Sequence, residues 1–226
     1  MISCNLSKAK QLNFLNSLSV KEKEKLNTNS KLCKIRKGAV VFVENELLQK
    51  LFFINEGACK FSIVDDKGKE HITRLLGKGD LMGRRSIITK KGALVTATAI
   101  SDTTLCCVDK STLLNNLEKN NSFCMDVLKG FLTDLEDQEF KMKLYENRQS
   151  IPKRLAGLLL YMKSKFGLHS DGSLRITLKR EDMANILGTS SEYIITLLTR
   201  FKTAHLVALE KGKITIISEK QLRAFL

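Results

Sequence analysis

A single proline, Pro152, stands in the 226-residue chain, and no apolar run approaches the roughly eighteen residues that a membrane-spanning helix needs. The opening Met1-Ile-Ser-Cys-Asn-Leu-Ser-Lys has no signal-peptide core. A soluble, cytoplasmic protein without a membrane partner is therefore expected. Six cysteines, Cys4, Cys33, Cys59, Cys106, Cys107 and Cys124, form no Cys-x-x-Cys pair and no tight cluster with histidine, which argues against zinc or iron–sulfur ligation. They read as free thiols, and Cys59 and Cys106 lie in apolar strand-like runs where cysteine acts as a small buried hydrophobe. His71, His169 and His205 are isolated and read as structural or surface residues. No nucleophile–base pair, phosphate loop or metal constellation is visible, so an enzyme is not expected.

What is present in excess is positive charge. Lysine and arginine number 38 against 24 acidic residues, for a net charge of +14. A surface of that sign suits a polyanion, because neutralising phosphates releases their counterions. Lysine far outnumbers arginine and asparagine is common, as an AT-rich genome would produce whatever the function, so charge alone does not name the partner.

Residues 178 to 217 are more specific. Ile194, Leu197, Leu198 and Phe201 recur at i, i+3, i+4 and i+7, one buried helical stripe. The opposite face then carries Ser191, Glu192, Ile195, Thr196, Thr199 and Lys202, with Arg200 nearby. Upstream, Met183, Ala184 and Leu187 give the core side of a shorter helix, and Gly188 supplies the freedom a tight turn needs. Such a helix-turn-helix presents its second helix to the major groove of double-stranded DNA, where Ile195 suits a thymine methyl. Thr189 followed by Glu192 forms a capping-box pattern, with Ser190 between them, so Glu192 either holds the helix start or reads a base, or both. Leu206–Leu209 and Ile214–Ile217 flank Glu210-Lys211-Gly212-Lys213 as a hairpin. Its Lys211 and Lys213 either touch phosphate or simply solvate a turn.

The rest of the chain separates by texture. Residues 1 to 30 are polar with a helical repeat at Leu12, Leu15, Leu18, Val20 and Leu26. From Cys33 to Val108, short alternating strands punctuated by glycine predict an antiparallel barrel or sandwich. Between Ser122 and Arg148, Leu128, Leu135 and Met142 repeat every seven residues, with Phe131, Gln138 and Tyr145 at the second seam position. This helix either pairs with its twin in a homodimer or packs on its own barrel. Pro152 fits the first turn of a new helix and biases Ile151 away from helical geometry, so the long helix is expected to break there. The domains predicted are a β-roll sensor over 1–120, a dimerisation helix over 121–148 and a winged helix-turn-helix over 149–226. The fold class is α+β.

In that order the parts resemble the Crp/Fnr superfamily of bacterial transcription factors over nearly the whole chain. Gly79-Asp80-Leu81-Met82-Gly83 looks like the family's Gly-Asp-x-x-Gly turn, and Ala184-x-x-Leu187-Gly188-x-Ser190-x-Glu192 looks like its helix-turn-helix. The resemblance implies a cyclic-nucleotide-binding-like roll with an effector pocket near Gly83, Arg84, Arg85, Val95 and Thr96, a homodimer, DNA binding, and RNA polymerase as a partner if the regulator activates. Departures limit what carries over. Arg84 stands where cyclic-nucleotide-binding members hold the ribose with glutamate, and Val95 where an arginine holds the cyclic phosphate, so tight cyclic AMP binding is not expected. Only Cys4 lies in the first thirty residues, against the N-terminal cysteine cluster of oxygen-sensing members. Ser191 and Thr196 replace two specificity arginines. No cofactor is expected; some members carry haem, but no residue here is singled out as its ligand. Arg84 and Arg85 either receive an anion at a helix start or form salt bridges, for instance to Glu136 or Glu139. A ligand-sensing module whose C-terminal domain contacts protein is the other reading.

Overall fold

The computed structural model describes residues 17–132 and 150–224. These form two compact units, residues 17–63 with 73–132, and residues 64–72 with 150–224. The α+β class and the order of roll, helix and winged helix-turn-helix are as the sequence predicts.

The roll opens with α1 (Val20–Thr28) and then alternates β1 (Ser30–Ile35), β2 (Val40–Phe42), β3 (Lys50–Glu56), β4 (Cys59–Val64), β5 (Glu70–Leu76) and β6 (Leu81–Met82). A short helix α2 (Arg84–Thr89) precedes β7 (Thr96–Ala99) and β8 (Thr103–Asp109), and α3 (Lys110–Lys119) leads into α4, described over 121–132. Two four-stranded sheets result, in the orders β1-β8-β3-β6 and β2-β7-β4-β5.

Strand periodicity sorts the first sheet's side chains between two cores. On β3, Leu51 and Phe53 join one cluster while Phe52 and Ile54 face the other; on β8, Cys106 and Val108 alternate with Leu105 and Cys107 in the same way. The cluster shared with Leu113, Phe123 and Val127 fixes α3 and α4 to the sheet, and the other, with Phe42, Leu76 and Ala97, fills the roll interior. Gly57 shows why glycine punctuates these strands. Its φ is +89°, and a Cβ there would stand 2.4 Å from the Asp102 carbonyl oxygen.

The cysteines need one correction. Cys33, Cys59, Cys107 and Cys124 are free thiols, but Cys106 is disulfide-bonded. The register of β1 on β8 also brings Cys33 and Cys107, 74 positions apart, to an Sγ–Sγ distance of 2.9 Å. Burial pushes the Cys107 thiol up to about 12. Sequence spacing is blind to the Cys33–Cys107 contact, because strand pairing and not chain proximity makes them neighbours.

The second unit is built from α5 (Ile151–Phe166), α6 (Arg180–Leu187), α7 (Ser191–Thr203), the hairpin β9 (Val207–Glu210) and β10 (Lys213–Ile216), and α8 (Glu219–Arg223). Ser150 is the extended N-cap of α5. Ile151 is therefore the first helical residue, one position from the predicted break; Pro152 follows it at no cost, since first-turn amides have no helical acceptor. Leu155, Leu159 and Met162 bury one face of α5. No helix of the described residues is long and apolar enough to cross a membrane.

Candidate functional site

Two regions gather the residues that could contact a partner, one in each unit. In the second unit α6 ends at Gly188, whose φ of 63° and ψ of 45° turn the chain in the left-handed region. The predicted stripe is buried: Ile194, Leu197, Leu198 and Phe201 are each at most 4 % exposed. Packing of this stripe fixes the other face outward. Glu192, Ile195, Thr196, Thr199, Arg200 and Lys202 are exposed and Ser191 is half-buried.

The start of α7 differs from the capping-box reading. Ser190 is the N-cap, and its Oγ accepts the Tyr193 N–H at 3.2 Å. Half-buried Thr189 instead donates its backbone N–H to the Ala184 carbonyl at 3.0 Å, closing α6. Glu192 still serves the helix start. Its own N–H, then the Ser190 hydroxyl, hydrogen-bond the carboxylate and hold its pKa below the usual glutamate value. Along the exposed face the threonines turn inward: Thr196 Oγ1 donates to the Glu192 carbonyl at 3.0 Å and Thr199 Oγ1 to the Ile195 carbonyl at 2.9 Å. Each hydroxyl proton is therefore spent on the helix, leaving a lone pair and a methyl to offer a ligand. With Ile195 at 52 % exposure, the face is rich in methyl groups.

The wing is a two-residue hairpin. Lys211 and Gly212 have φ of 45° and 82°, the double positive φ that matches the strands' twist. Lys211 is exposed at its tip. Lys213 is tied down, its Nζ 2.7 Å from Asp171 Oδ2. Asp171 also accepts the backbone N–H and hydroxyl of Ser173; the ammonium, then these bonds, hold its carboxyl well below the usual carboxylate range. Asp171 was missed in the sequence, where Asp171-Gly172 signals only a turn.

In the first unit a cavity of about 330 Å³ opens inside the roll. The Gly79–Gly83 turn is pinned to β3: Gly79 N–H donates to the Ile54 carbonyl, Ile54 N–H to the Asp80 carbonyl, and Gly77 N–H to Asp80 Oδ2. Gly83, at φ +91°, then aims α2 at the cavity. Gly83, Arg84, Arg85 and Val95 all line it; Thr96 does not, and its Oγ1 accepts the Glu44 N–H at 3.1 Å. Arg74 of β5 is a further lining cation, 7 % exposed, that no motif marked.

Arg84, 8 % exposed, reaches α4. Its guanidinium carbon lies 4.6 Å from the Phe131 ring centroid, a cation–π contact. Gly130 makes the room: a Cβ there would stand 2.7 Å from Arg84 Nη1. Glu136 and Glu139, considered as partners for the arginines, lie outside the described residues. So do Leu135, Gln138, Met142 and Tyr145 of the predicted seam. Within 121–132 the helix has two apolar faces. Phe123, Val127 and Phe131 turn to the roll's core, while Met125, Leu128 and Leu132 are 54 %, 49 % and 60 % exposed.

Residues 32–120 match the cyclic nucleotide-binding domain and residues 153–225 the Crp-like helix-turn-helix domain. The chain is 27 % identical over 191 residues to the fumarate and nitrate reduction regulatory protein of Vibrio cholerae, covering 83 % of this chain and 75 % of the relative. It is 25 % identical over 189 residues to the CRP-like cAMP-activated global transcriptional regulator of Mycobacterium tuberculosis, covering 82 % and 83 %. The solved structure of FixK2 from Bradyrhizobium japonicum superposes with a TM-score of 0.77 at 20 % identity, over 87 % of this chain and 96 % of that one, and shares its fold. With both domain matches in order around the α4–α5 region, and relatives that align across them, the chain belongs to the Crp/Fnr superfamily of DNA-binding transcription regulators.

Proposed function

We propose that the chain works in the cytoplasm as a homodimer that reads a two-fold-related DNA site with α7, contacts flanking phosphate with the wing, and does not answer to cyclic AMP. The exposed face of α7 is the observation that carries this reading. Four buried apolar residues lock the helix in place and leave Ser191, Glu192, Ile195, Thr196 and Thr199 outward, with Arg200 and Lys202 beside them. Glu192 suits the amino group of a cytosine, Ile195 and the threonine methyls suit thymine, and the cations together with exposed Lys211 suit phosphate.

Dimerisation is supported by α4. A helix already packed through Phe123, Val127 and Phe131 has no need of a second apolar face, yet Met125, Leu128 and Leu132 supply one at 3- and 4-residue spacing. Two α7 helices about 34 Å apart then meet successive major grooves on one side of the duplex. RNA polymerase becomes a partner where the bound regulator activates.

Insensitivity to cyclic AMP follows from the lining. Val95 cannot pair with a cyclic phosphate, and Arg84 supplies a donor where a ribose hydroxyl needs an acceptor. The test is selection of a binding site from a random DNA pool, followed by affinity measurements across a salt series and with cyclic AMP. A two-fold-related consensus, a steep loss of affinity with salt and no change with the nucleotide are expected. A selected pool without consensus removes the regulator reading. A large gain in affinity on adding cyclic AMP removes the reading of the pocket.

A further inference from the structure

We propose that Asp171 limits the sequence-independent part of DNA affinity by holding Lys213 away from phosphate, so that the wing meets the backbone with Lys211 alone. The proposal rests on the reading that the wing lies on DNA phosphate, and it gives opposite roles to two lysines that flank one glycine.

Three features of the wing set this limit. The first is the pairing. Lys213 Nζ lies 2.7 Å from Asp171 Oδ2, although Glu210 stands opposite Lys213 in the hairpin register. The two side chains are 53 % and 50 % exposed, so the pair sits at the surface, within reach of an approaching phosphate.

The second feature is the rigidity of the carboxylate. An exposed ion pair between two free side chains is worth little, because ordering both offsets the attraction. Here one partner is ordered in advance. Asp171 Oδ1 accepts the backbone N–H and the hydroxyl of buried Ser173. Gly172, at φ +78°, turns the chain at this point, and its N–H donates to the His169 carbonyl. Leu174 N–H donates to the Ile214 carbonyl at 2.8 Å and Ser173 bridges Thr215, which laces the loop to β10, the strand that carries Lys213. Only the lysine stem then has freedom to lose.

The third feature is the contrast with Lys211. It is exposed at the tip of the turn, and among the described residues no ion pair engages it. A neutral pair releases no counterions on meeting DNA, and a carboxylate beside the backbone repels it. Two wing lysines therefore supply one phosphate contact. Base readout by α7 is untouched, since a phosphate contact contributes alike to every sequence. What Asp171 sets is how firmly the protein holds any duplex, including one that lacks its site.

The experiment measures anisotropy of the full chain on its selected operator and on a duplex of scrambled sequence, each across a salt series. The proteins are the natural chain, Lys211→Ala, Asp171→Asn, Lys213→Gln and the double variant Asp171→Asn with Lys213→Gln. Asparagine keeps an acceptor for Ser173 and removes one negative charge, whichever way the freed ammonium turns. Asp171→Asn is expected to tighten binding to both duplexes about tenfold at about 0.1 M salt and to steepen the log–log salt slope by about one per wing, with base preference unchanged. Lys213→Gln bares the carboxylate and is expected to weaken both duplexes. The double variant makes the site neutral again and should return affinity and slope to those of the natural chain. A purely structural role for the pair gives weaker binding in every variant and no recovery in the double one, because each removal only loosens the wing. Weaker or unchanged binding by Asp171→Asn, or a double variant no better than Lys213→Gln, overturns the proposal. Lys211→Ala separates it from the reading beneath it. If that variant binds as the natural chain does, the wing is not on phosphate and both fall; if it loses affinity and slope while Asp171→Asn gains neither, only the role of Asp171 falls.

Discussion

Ile195 supports a prediction whose size can be worked out in advance. It stands at 52 % exposure in the middle of the outward face of α7, flanked by Thr196 and Thr199, whose hydroxyl protons are already spent on the helix. Full burial of such a side chain is worth about 1.5–3 kcal/mol, so closing the exposed half against a thymine methyl gives about 1 kcal/mol per half-site. Two half-sites make about 2 kcal/mol, or roughly 30-fold in affinity. The methyl itself accounts for about 0.8 kcal/mol, about fourfold, for each thymine it serves. The perturbation is therefore double: Ile195→Ala in the protein and thymine→deoxyuridine, one position at a time, in the selected operator. Fluorescence anisotropy at fixed salt reads each corner of the cycle. Deoxyuridine at the contacted position should weaken the natural protein about fourfold and leave Ile195→Ala nearly unaffected, with the salt slope the same throughout. Equal cost of deoxyuridine in both proteins, or no cost at any position, refutes the methyl-reading face.

Five other residues carry expected outcomes. Glu192→Ala should relax base preference with little change in salt dependence, whereas Lys211→Ala should weaken all sequences alike and reduce the salt slope by about one, as binding to variant operators would show. Ser190→Ala removes the acceptor for Tyr193 N–H and should cost about 1 kcal/mol in urea unfolding of the helix-turn-helix. Gly57→Ala combines an unfavourable φ with a Cβ 2.4 Å from the Asp102 carbonyl oxygen, and about 3 kcal/mol of lost stability by the same assay is expected. Asp171 is depressed from 3.8 by Lys213 first and then by Ser173. Its folded-state pKa lies below the unfolded one, so its contribution is full above pH 3.8 and is lost as pH falls from there through the folded value. Wing amides should exchange faster over that acid range in the natural protein, and Asp171→Asn should show the faster exchange at neutral pH as well.

The sequence by itself determined the parts governed by short-range periodicity. A stripe at i, i+3, i+4 and i+7 has one way to be buried on a helix, so Ile194, Leu197, Leu198 and Phe201 disclosed both the inside and the outside of α7. Gly188 and the Lys211-Gly212 turn were readable because positive φ restricts residue choice locally. The alternation on β3 and β8 announced strands for the same reason.

Tertiary structure decided everything that depends on which distant segments meet. Lys213 and Asp171 are 42 positions apart, and their pairing turns one of two apparently equivalent wing lysines into an anchor. Arg84 joins Phe131 only because Gly130 clears a path for it, and Arg74 enters the cavity from a strand whose sequence carries no motif. Even the cap of α7 shifted from Thr189 to Ser190, since the Thr189 amide was needed to close α6. Local pattern fixes the conformation of a segment because its causes lie within a few residues. Charge pairing, cavity lining and strand register follow from packing across the whole unit, and they exist only once the chain has folded.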